Sequence, residues 1–352
     1  MTPLSEFPAD VDVVVVTHNN LVTLARTLES LQAAGCGPAS ITVVDIASTD
    51  GTDAALATQW PAVKRIRISR NDGPCPARNA GILAATRPYV LLMDADVVVA
   101  PDAVQRLRSA MRANDRVKIG SPIVVHRDRP DVIQYAGCAL HYLCEAVNPW
   151  VGRTLAERGP DAQEIGVAAA CALLLDRAAA IEVGLFDERY FMGKDDGDFT
   201  HRVKMAGYTI LEVPAALALH HSRPRGTWMI PYQIRNRWHF MLKNYEWRTL
   251  CVLLPILLVH EPLQFLLLVA KGHLRSYLWA LGRLIAMMPA LPDDRARIRR
   301  IRRRHDHELL VTGPLIIRDD FAGSAWARRG LRAYEQATTA YWHLLRRTVL
   351  AR

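Results

Sequence analysis

The 352-residue chain has no C-x-x-C pair, no tight Cys/His cluster and no internal repeat. Its six cysteines (Cys36, Cys75, Cys138, Cys144, Cys171, Cys251) are scattered, so neither a structural zinc nor a disulfide framework is indicated. The opening segment MTPLSEFPADVD lacks the basic stretch and apolar run of a secretory signal, which predicts a protein of the reducing cytoplasm. Long uninterrupted apolar runs are missing too. Leu250 to Ala270 (LCVLLPILLVHEPLQFLLLVA) is nearly a bilayer's width, but Pro255, His260, Glu261 and Pro262 interrupt it, and it reads as two short helices.

What the chain does have is a balance of half apolar and 22% charged residues, which excludes disorder, and length for one large α/β domain plus an appendage. The net charge of +9 conceals an asymmetry. Residues 1 to 222 hold 21 Lys and Arg against 26 Asp and Glu, whereas residues 223 to 352 hold 23 against 9. A basic tail on a slightly acidic body points to nucleic acid or an anionic membrane surface.

The first half alternates strand-like and helix-like segments, as expected of a mostly parallel sheet with helices on both faces. Strands are expected at Val11 to Val16, Ile41 to Asp45, Val63 to Ile68 and Tyr89 to Met93, with helices at Leu21 to Leu31, from Asp53, and at Ala77 to Thr86. A helix over Ala103 to Ala113 follows. An apolar stretch (Val167 to Asp176), a helix through Thr200 to Met205 and a strand-like run (Ala215 to Leu219) come next, and an amphipathic helix from Ser324 carries Leu331, Tyr334, Tyr341 and Leu345 at helical spacing.

The chemistry-bearing residues sit at the ends of these segments. Asp94 and Asp96 follow the apolar run Val90 to Met93. In a parallel sheet the carboxyl ends of strands open into the ligand crevice, and residues two apart on an extended segment share a side, so two carboxylates converge there. Such oxygens suit Mg²⁺ or Mn²⁺, or they cap a helix and stay solvated. Asp45 ends the second strand, where an acceptor could read a nucleobase N–H; helix capping is the alternative, and Asp50 fits that better. Arg78 and Asn79 lie after the Gly73-Pro74 loop near a helix start, a place that favours an anion, though a structural pair would look the same. Asp195, Asp196 and Asp198 fall within four residues; one, most naturally Asp195, would cap the following helix, and another could serve as a general base. His220 and His221 are structural, or one completes the shell of a cation at Asp96.

In order, these segments resemble the inverting family 2 glycosyltransferases of the GT-A fold. The resemblance rests on VVVVTHN (Val13 to Asn19), VVDIASTDGT (Val43 to Thr52), NDGPCPARNAGI (Asn71 to Ile82), LLMDADV (Leu91 to Val97), GLFDERYF (Gly184 to Phe191), KDDGDFTHRVKMAGY (Lys194 to Tyr208) and VPAALALHH (Val213 to His221), and it covers residues 11 to about 245. It implies a nucleoside-diphosphate sugar donor, dTDP-rhamnose or a UDP-sugar, held by Thr17, His18, Asn19, Asp45, Arg78, Asn79, Asp94, Ala95 and Asp195. It further implies a metal, Mg²⁺ or Mn²⁺, on Asp96 and His220, and Asp196 as the base that deprotonates an acceptor hydroxyl. The chain departs from the family at Asp195, where Glu is usual, at Ile46, where Asn is common, and at Lys194, where an aromatic is usual.

The expected division is a GT-A catalytic domain at 1–245 and a helical, basic region at 246–352. Leu/Trp-rich helices beside the seven arginines between Arg295 and Arg304 suit a peripheral seat on the inner face of an anionic membrane. Family members that act on polyprenyl-linked sugars have a tail of this kind, so the resemblance implies a polyprenyl-linked, cell-envelope acceptor. A packing or homo-oligomer role for these helices is the alternative. Nucleic acid is disfavoured, since the arginine run has no interleaved aromatics. Among family members, the chain resembles bacterial rhamnosyltransferases. A small-molecule natural-product transferase and a non-catalytic nucleotide-sugar-binding membrane module are the competing functions. A nucleotidyltransferase would need a Gly-rich basic loop after the first strand, where Thr17-His18-Asn19-Asn20 stands.

Overall fold

The computed structural model describes residues 7–222, 226–314 and 325–350; the segment 1–6 and the expected helix start at Ser324 lie outside the described residues, as does the Leu331 side chain. The chain divides into two compact units, one of residues 1–137 and 150–224, the other of residues 138–149 and 225–352. The helix Ile230–Asn244, which precedes the boundary drawn at 245 from sequence, belongs by compactness to the second unit.

The first unit is built on a ten-stranded sheet. Its continuous path runs Gln163–Ile165, Thr209–His220, Val117–His126, Ala172–Asp176, Tyr89–Asp94, Val11–Thr17, Ile41–Ile46, Lys64–Ile68. The last four are mutually parallel, Ala172–Asp176 runs antiparallel between Tyr89–Asp94 and Val117–His126, and Thr209–His220 is parallel to Val117–His126. The first strand is buried at all seven positions because helices cover both faces, which explains its unbroken β-branched run. Leu24, Leu28 and Leu31 of the helix Leu21–Ala33 bury against Val11, Val13 and Val15. On the other side, the helix Pro74–Ala84 comes so close at Gly81 that an added Cβ would lie 2.2 Å from Val14 Cγ1. That helix starts three residues before Ala77, since Pro74 at the first position loses no intrahelical hydrogen bond.

The register places the carboxyl ends of the parallel strands side by side: Thr17 pairs with Asp45, Asp45 with Arg67, and Val16 with Asp94. One sheet edge thus collects residues that are 77 positions apart in sequence from Thr17 to Asp94.

The second unit is helical, with Ile230–Asn244, Trp247–Ala270, Leu274–Met287, Leu291–Ile301 and Ala325–Leu345 as its main elements. The two short helices expected between Leu250 and Ala270 are one helix of 24 residues that continues through Pro255 and Pro262. Each proline removes a single N–H donor, and packing at Leu253, Leu257 and Leu268 holds the helix together. The polar residues that looked like an interruption face inward. Glu261 accepts from Arg237 Nη1 at 2.7 Å and from Trp238 Nε1 at 3.1 Å, and His260 Nδ1 meets the Tyr334 hydroxyl at 2.6 Å. The arginine run is also divided: Arg295 and Arg302 bond backbone carbonyls of 242–245, whereas Arg297, Arg299, Arg300 and Arg303 are exposed.

Candidate active site

The site forms where the parallel strands end. The strand Tyr89–Asp94 stops at Asp94 and a turn at Ala95–Asp96 follows, so the two aspartates do not share one side of an extended segment as their spacing suggested. The turn is pinned because the Thr27 hydroxyl donates to Val97 O (2.8 Å) with Ala95 O also within reach (3.0 Å), and Ala95 N–H donates to Val16 O at 3.0 Å. Asp94 is thereby directed to Arg78 and Asp96 to His220.

Arg78 is buried, and it joins two segments of the chain. Its Nη2 donates to Asp94 Oδ1 at 3.1 Å, and its Nη1 donates to Asp195 Oδ2 at 2.7 Å. Burial works against its charge, but Asp94 and Asp195 outweigh that and hold the guanidinium protonated well above its ordinary range. Burial pushes the Asp94 carboxyl up, with Arg78 opposing and the nearby Asp96 carboxylate adding to the rise. Asp195 does not cap its helix, as its position had suggested. It is the first residue of Asp195–Met205, preceded by Lys194 in the left-handed region (φ 63°), and its carboxylate is taken up by Arg78. The three clustered acids therefore separate by environment: Asp198 is fully buried on Arg202 at 3.0 Å, Asp195 is buried on Arg78, and Asp196 is half-buried at the helix start. Cys171 lies among the acids, and its thiol is pushed well up by burial and by Asp94, Asp96 and Asp196.

Asp96 and His220 meet through a short antiparallel pairing of Val97–Val99 with the end of Thr209–His220, in which His220 lies opposite Val97. His220 Nε2 stands 3.5 Å from Asp96 Oδ1, while the backbone N–H of His221 donates to Asp96 O at 2.9 Å. The side chain beside the carboxylate is thus His220, and His221 contributes main chain. Gln134, which sequence reasoning passed over, meets His220 Nδ1 with its Oε1 at 2.9 Å. An amide oxygen only accepts, so Nδ1 carries the proton and, in the neutral ring, the Nε2 lone pair faces the Asp96 carboxylate. Two lone-pair donors facing each other suit a divalent cation, and an oxygen with an imidazole nitrogen is a donor set that Mn²⁺ or Mg²⁺ accepts alongside phosphate oxygens. Among the described residues no group of three or more His, Cys, Asp or Glu is arranged so that it could hold a metal ion by itself.

At the other end of the crevice, Asp45 is buried with its Oδ2 3.0 Å from Arg67 Nη1 and its Oδ1 accepting from Ser48 N at 3.1 Å. Arg67 was not singled out from sequence, although Arg65 and Arg67 alternate on one side of a strand that ends beside Asp45. Asp50 lies one residue before Gly51, which takes the N-cap position of the helix Thr52–Gln59, and its carboxylate accepts from Thr52 N and Oγ1 and from Leu21 N at 2.9 Å. His18 Nδ1 contacts Ile46 O at 2.5 Å, and Asn19 Oδ1 accepts from Thr49 N at 2.8 Å, so the loops after the first two strands are tied together. Thr17 Oγ1, beside Asp45, is buried and has no hydrogen-bond partner among the described residues. Asn79 is fully engaged elsewhere. Its amide brackets Phe186 through N–H and C=O, both at 2.9 Å, and reaches Glu188 Oε1, which fixes the 186–188 loop. Gly73 (φ 92°) allows the same loop to approach, since a Cβ there would lie 2.2 Å from Phe191 O.

A sheet of this topology, with an acidic crevice at its parallel strand ends, is that of the GT-A fold. The chain belongs to glycosyl transferase family 2, whose model matches residues 12–184. It is 31% identical over 230 residues to the N-acetylglucosaminyl-diphospho-decaprenol L-rhamnosyltransferase of Mycobacterium tuberculosis, covering 59% of this chain and 75% of that protein. It is 38% identical over 138 residues to the succinoglycan biosynthesis protein ExoO of Rhizobium meliloti, covering 39% and 38%. Among solved structures, GalNAc-T7 with UDP, GalNAc and Mn²⁺ matches with a TM-score of 0.54 at 19% identity over 67% of this chain. The chain spans 48% of that structure, and the likeness is one of fold.

Proposed function

We propose that the protein is an inverting, metal-dependent transferase that moves a sugar, rhamnose in the first instance, from a nucleoside diphosphate to a hydroxyl of a polyprenyl-diphosphate-linked glycan at the inner face of a membrane. The observation that carries the reading is the meeting of Asp96 with His220, whose Nε2 stands 3.5 Å from Asp96 Oδ1 at the end of the crevice. The name of the mycobacterial relative supports rhamnose and a lipid-linked acceptor.

In this reading Thr17 Oγ1 and the Asp45–Arg67 pair receive the nucleobase, and His18 and Asn19 shape the loop beside it. Arg78 holds Asp94 toward the nucleoside and Asp195 at the start of the acceptor helix. Ala95 sets the turn between the two aspartates, and Asn79 positions the loop that leads to Asp195. Asp96 and His220 would hold Mg²⁺ or Mn²⁺, which when bound supplies charge stabilisation to the departing diphosphate. Asp196 accepts the proton of the acceptor hydroxyl. The freed oxygen attacks the anomeric carbon from the face opposite the nucleoside diphosphate, the C–O bond to phosphate breaks, and the configuration inverts. The donor-binding domain is proposed to end near 245, with the basic helices serving the lipid-linked substrate.

The test is a thermal-shift screen of the purified full-length protein with Mn²⁺ against dTDP-, UDP- and GDP-sugars, followed by transfer from the best donor to a polyprenyl-diphosphate-linked N-acetylglucosamine. Stabilisation by dTDP-rhamnose and a β-to-α or α-to-β change at the transferred sugar are expected. No stabilisation by any nucleotide-sugar would refute the reading.

A further inference from the structure

The helix Trp247–Ala270 is long and apolar enough to cross a membrane, yet one face of it packs in the helical unit and the opposite face is bare. Leu254, Leu258 and Leu266 are 54%, 67% and 62% exposed, and on the next helix Leu278, Leu281 and Ile285 are 56%, 45% and 61% exposed. The two helices touch through Phe265 and Tyr277, whose rings lie 4.9 Å apart. Exposed leucines recurring every three or four residues on adjacent helices form a contiguous apolar patch of a kind soluble surfaces avoid.

Charge decides what covers it. On these two helices and the turn that joins them the exposed charges are Arg248, Lys271, Arg275 and Arg283, and the acid they carry, Glu261, is held inward by Arg237 and Trp238. A second copy would bring the same cations against themselves, whereas an anionic lipid surface complements them. Glu261 also sets the orientation. It sits mid-helix, bonded to a helix whose buried residues include Arg235, Asn236, Arg237, His239, Lys243 and Asn244, and a crossing orientation would carry those groups into hydrocarbon.

We infer that Trp247–Ala270 and Leu274–Met287 lie in the plane of an anionic bilayer, with the leucine face sunk into the acyl boundary and the cations at the headgroups, and that Trp247–Ala270 does not span. The inference rests on the proposed lipid-linked acceptor for its purpose only, so donor binding is measured in the same samples to separate the two.

Full-length protein should float with vesicles of phosphatidylcholine and phosphatidylglycerol, and less with phosphatidylcholine alone. Leu258→Glu with Leu278→Glu should weaken partitioning by about tenfold or more, with nucleotide-sugar stabilisation unchanged. Arg275→Glu with Arg283→Glu should remove the preference for phosphatidylglycerol. In a Cys251→Ser background, which removes the exposed native thiol, Arg248→Cys and Lys271→Cys should both react with an impermeant maleimide added outside the vesicles. Protection of one of these ends would mark a spanning helix and overturn the in-plane arrangement. Wild-type protein that does not float, or an oligomer that the leucine substitutions dissolve without any vesicle binding, would overturn the bilayer as the occupant.

Discussion

Arg78 and Asp195, 117 residues apart in sequence, meet at 2.7 Å inside the first unit, and the same guanidinium reaches Asp94 at 3.1 Å. One buried cation therefore ties the strand end proposed to face the donor to the helix start that carries the proposed base. Arg78→Met would leave two acids without their counter-charge, and breaking a buried pair typically costs about 3–5 kcal/mol. The urea midpoint of the full chain should fall accordingly, and Asp195→Asn, which keeps the shape and a neutral partner, should cost less. Equal midpoints for wild type and Arg78→Met would show that the bridge contributes no stability.

Asp196 should be separable from its neighbours by function rather than stability. It is half-buried, while Asp195 and Asp198 hold Arg78 and Arg202. Asp196→Asn should lower transfer by about 10²- to 10⁴-fold, the range of a lost general base, and leave nucleotide-sugar stabilisation intact. Asp198→Asn should instead reduce stability. If Asp196→Asn transfers at the wild-type rate, the base lies elsewhere.

The strand ends and most of the crevice were legible in the sequence because they depend on local pattern. The β-branched run Val11 to Val16, the turn chemistry after Asp45 and the prolines at 74 and 76 each mark an element boundary within a few residues. Pairings over long sequence distances were not legible. Nothing local to Gln134 points to His220, 86 positions on, and nothing local to Arg67 points to Asp45 until the parallel register is known. The misreading of Asp195 as a cap has the same origin, since its partner comes from a helix more than a hundred residues earlier. Pro255 and Pro262 misled in the opposite way: their local cost was read correctly, but the tertiary anchoring of Glu261 and His260 that lets the helix continue was invisible.

Gln134 offers a test of the proposed metal site that does not depend on turnover. Its oxygen fixes the His220 tautomer, and loss of such an outer partner typically weakens metal binding about 10- to 100-fold. Gln134→Met should weaken Mn²⁺ binding, read by the electron paramagnetic resonance signal of free Mn²⁺ with nucleoside diphosphate present. His220→Ala should weaken it at least as much. Unchanged binding in His220→Ala would remove this residue from the metal shell.

Acid should weaken the helical unit through two histidines that the fold keeps neutral. Burial, with Arg237 adding, lowers His260 to about 3, and burial lowers His141 to about 4 against the pull of Glu145. His141 Nδ1 also accepts Leu143 N–H at 3.1 Å, an acceptor that protonation would remove. Both folded values lie below the ordinary 6.5, so the unfolded chain binds protons that the folded chain refuses. Stability from these groups is therefore full above about pH 6.5 and is lost as the pH falls from there toward the folded values, by about 2 kcal/mol per histidine at pH 5. The urea midpoint should drop between pH 7.5 and pH 5, and the drop should shrink in His260→Gln, whose side chain takes no proton. His260→Gln should start lower at neutral pH, having lost its contact with Tyr334, yet cross less steeply into acid. An acid slope unaltered in the His141→Gln, His260→Gln double variant would place the acid sensitivity in other groups.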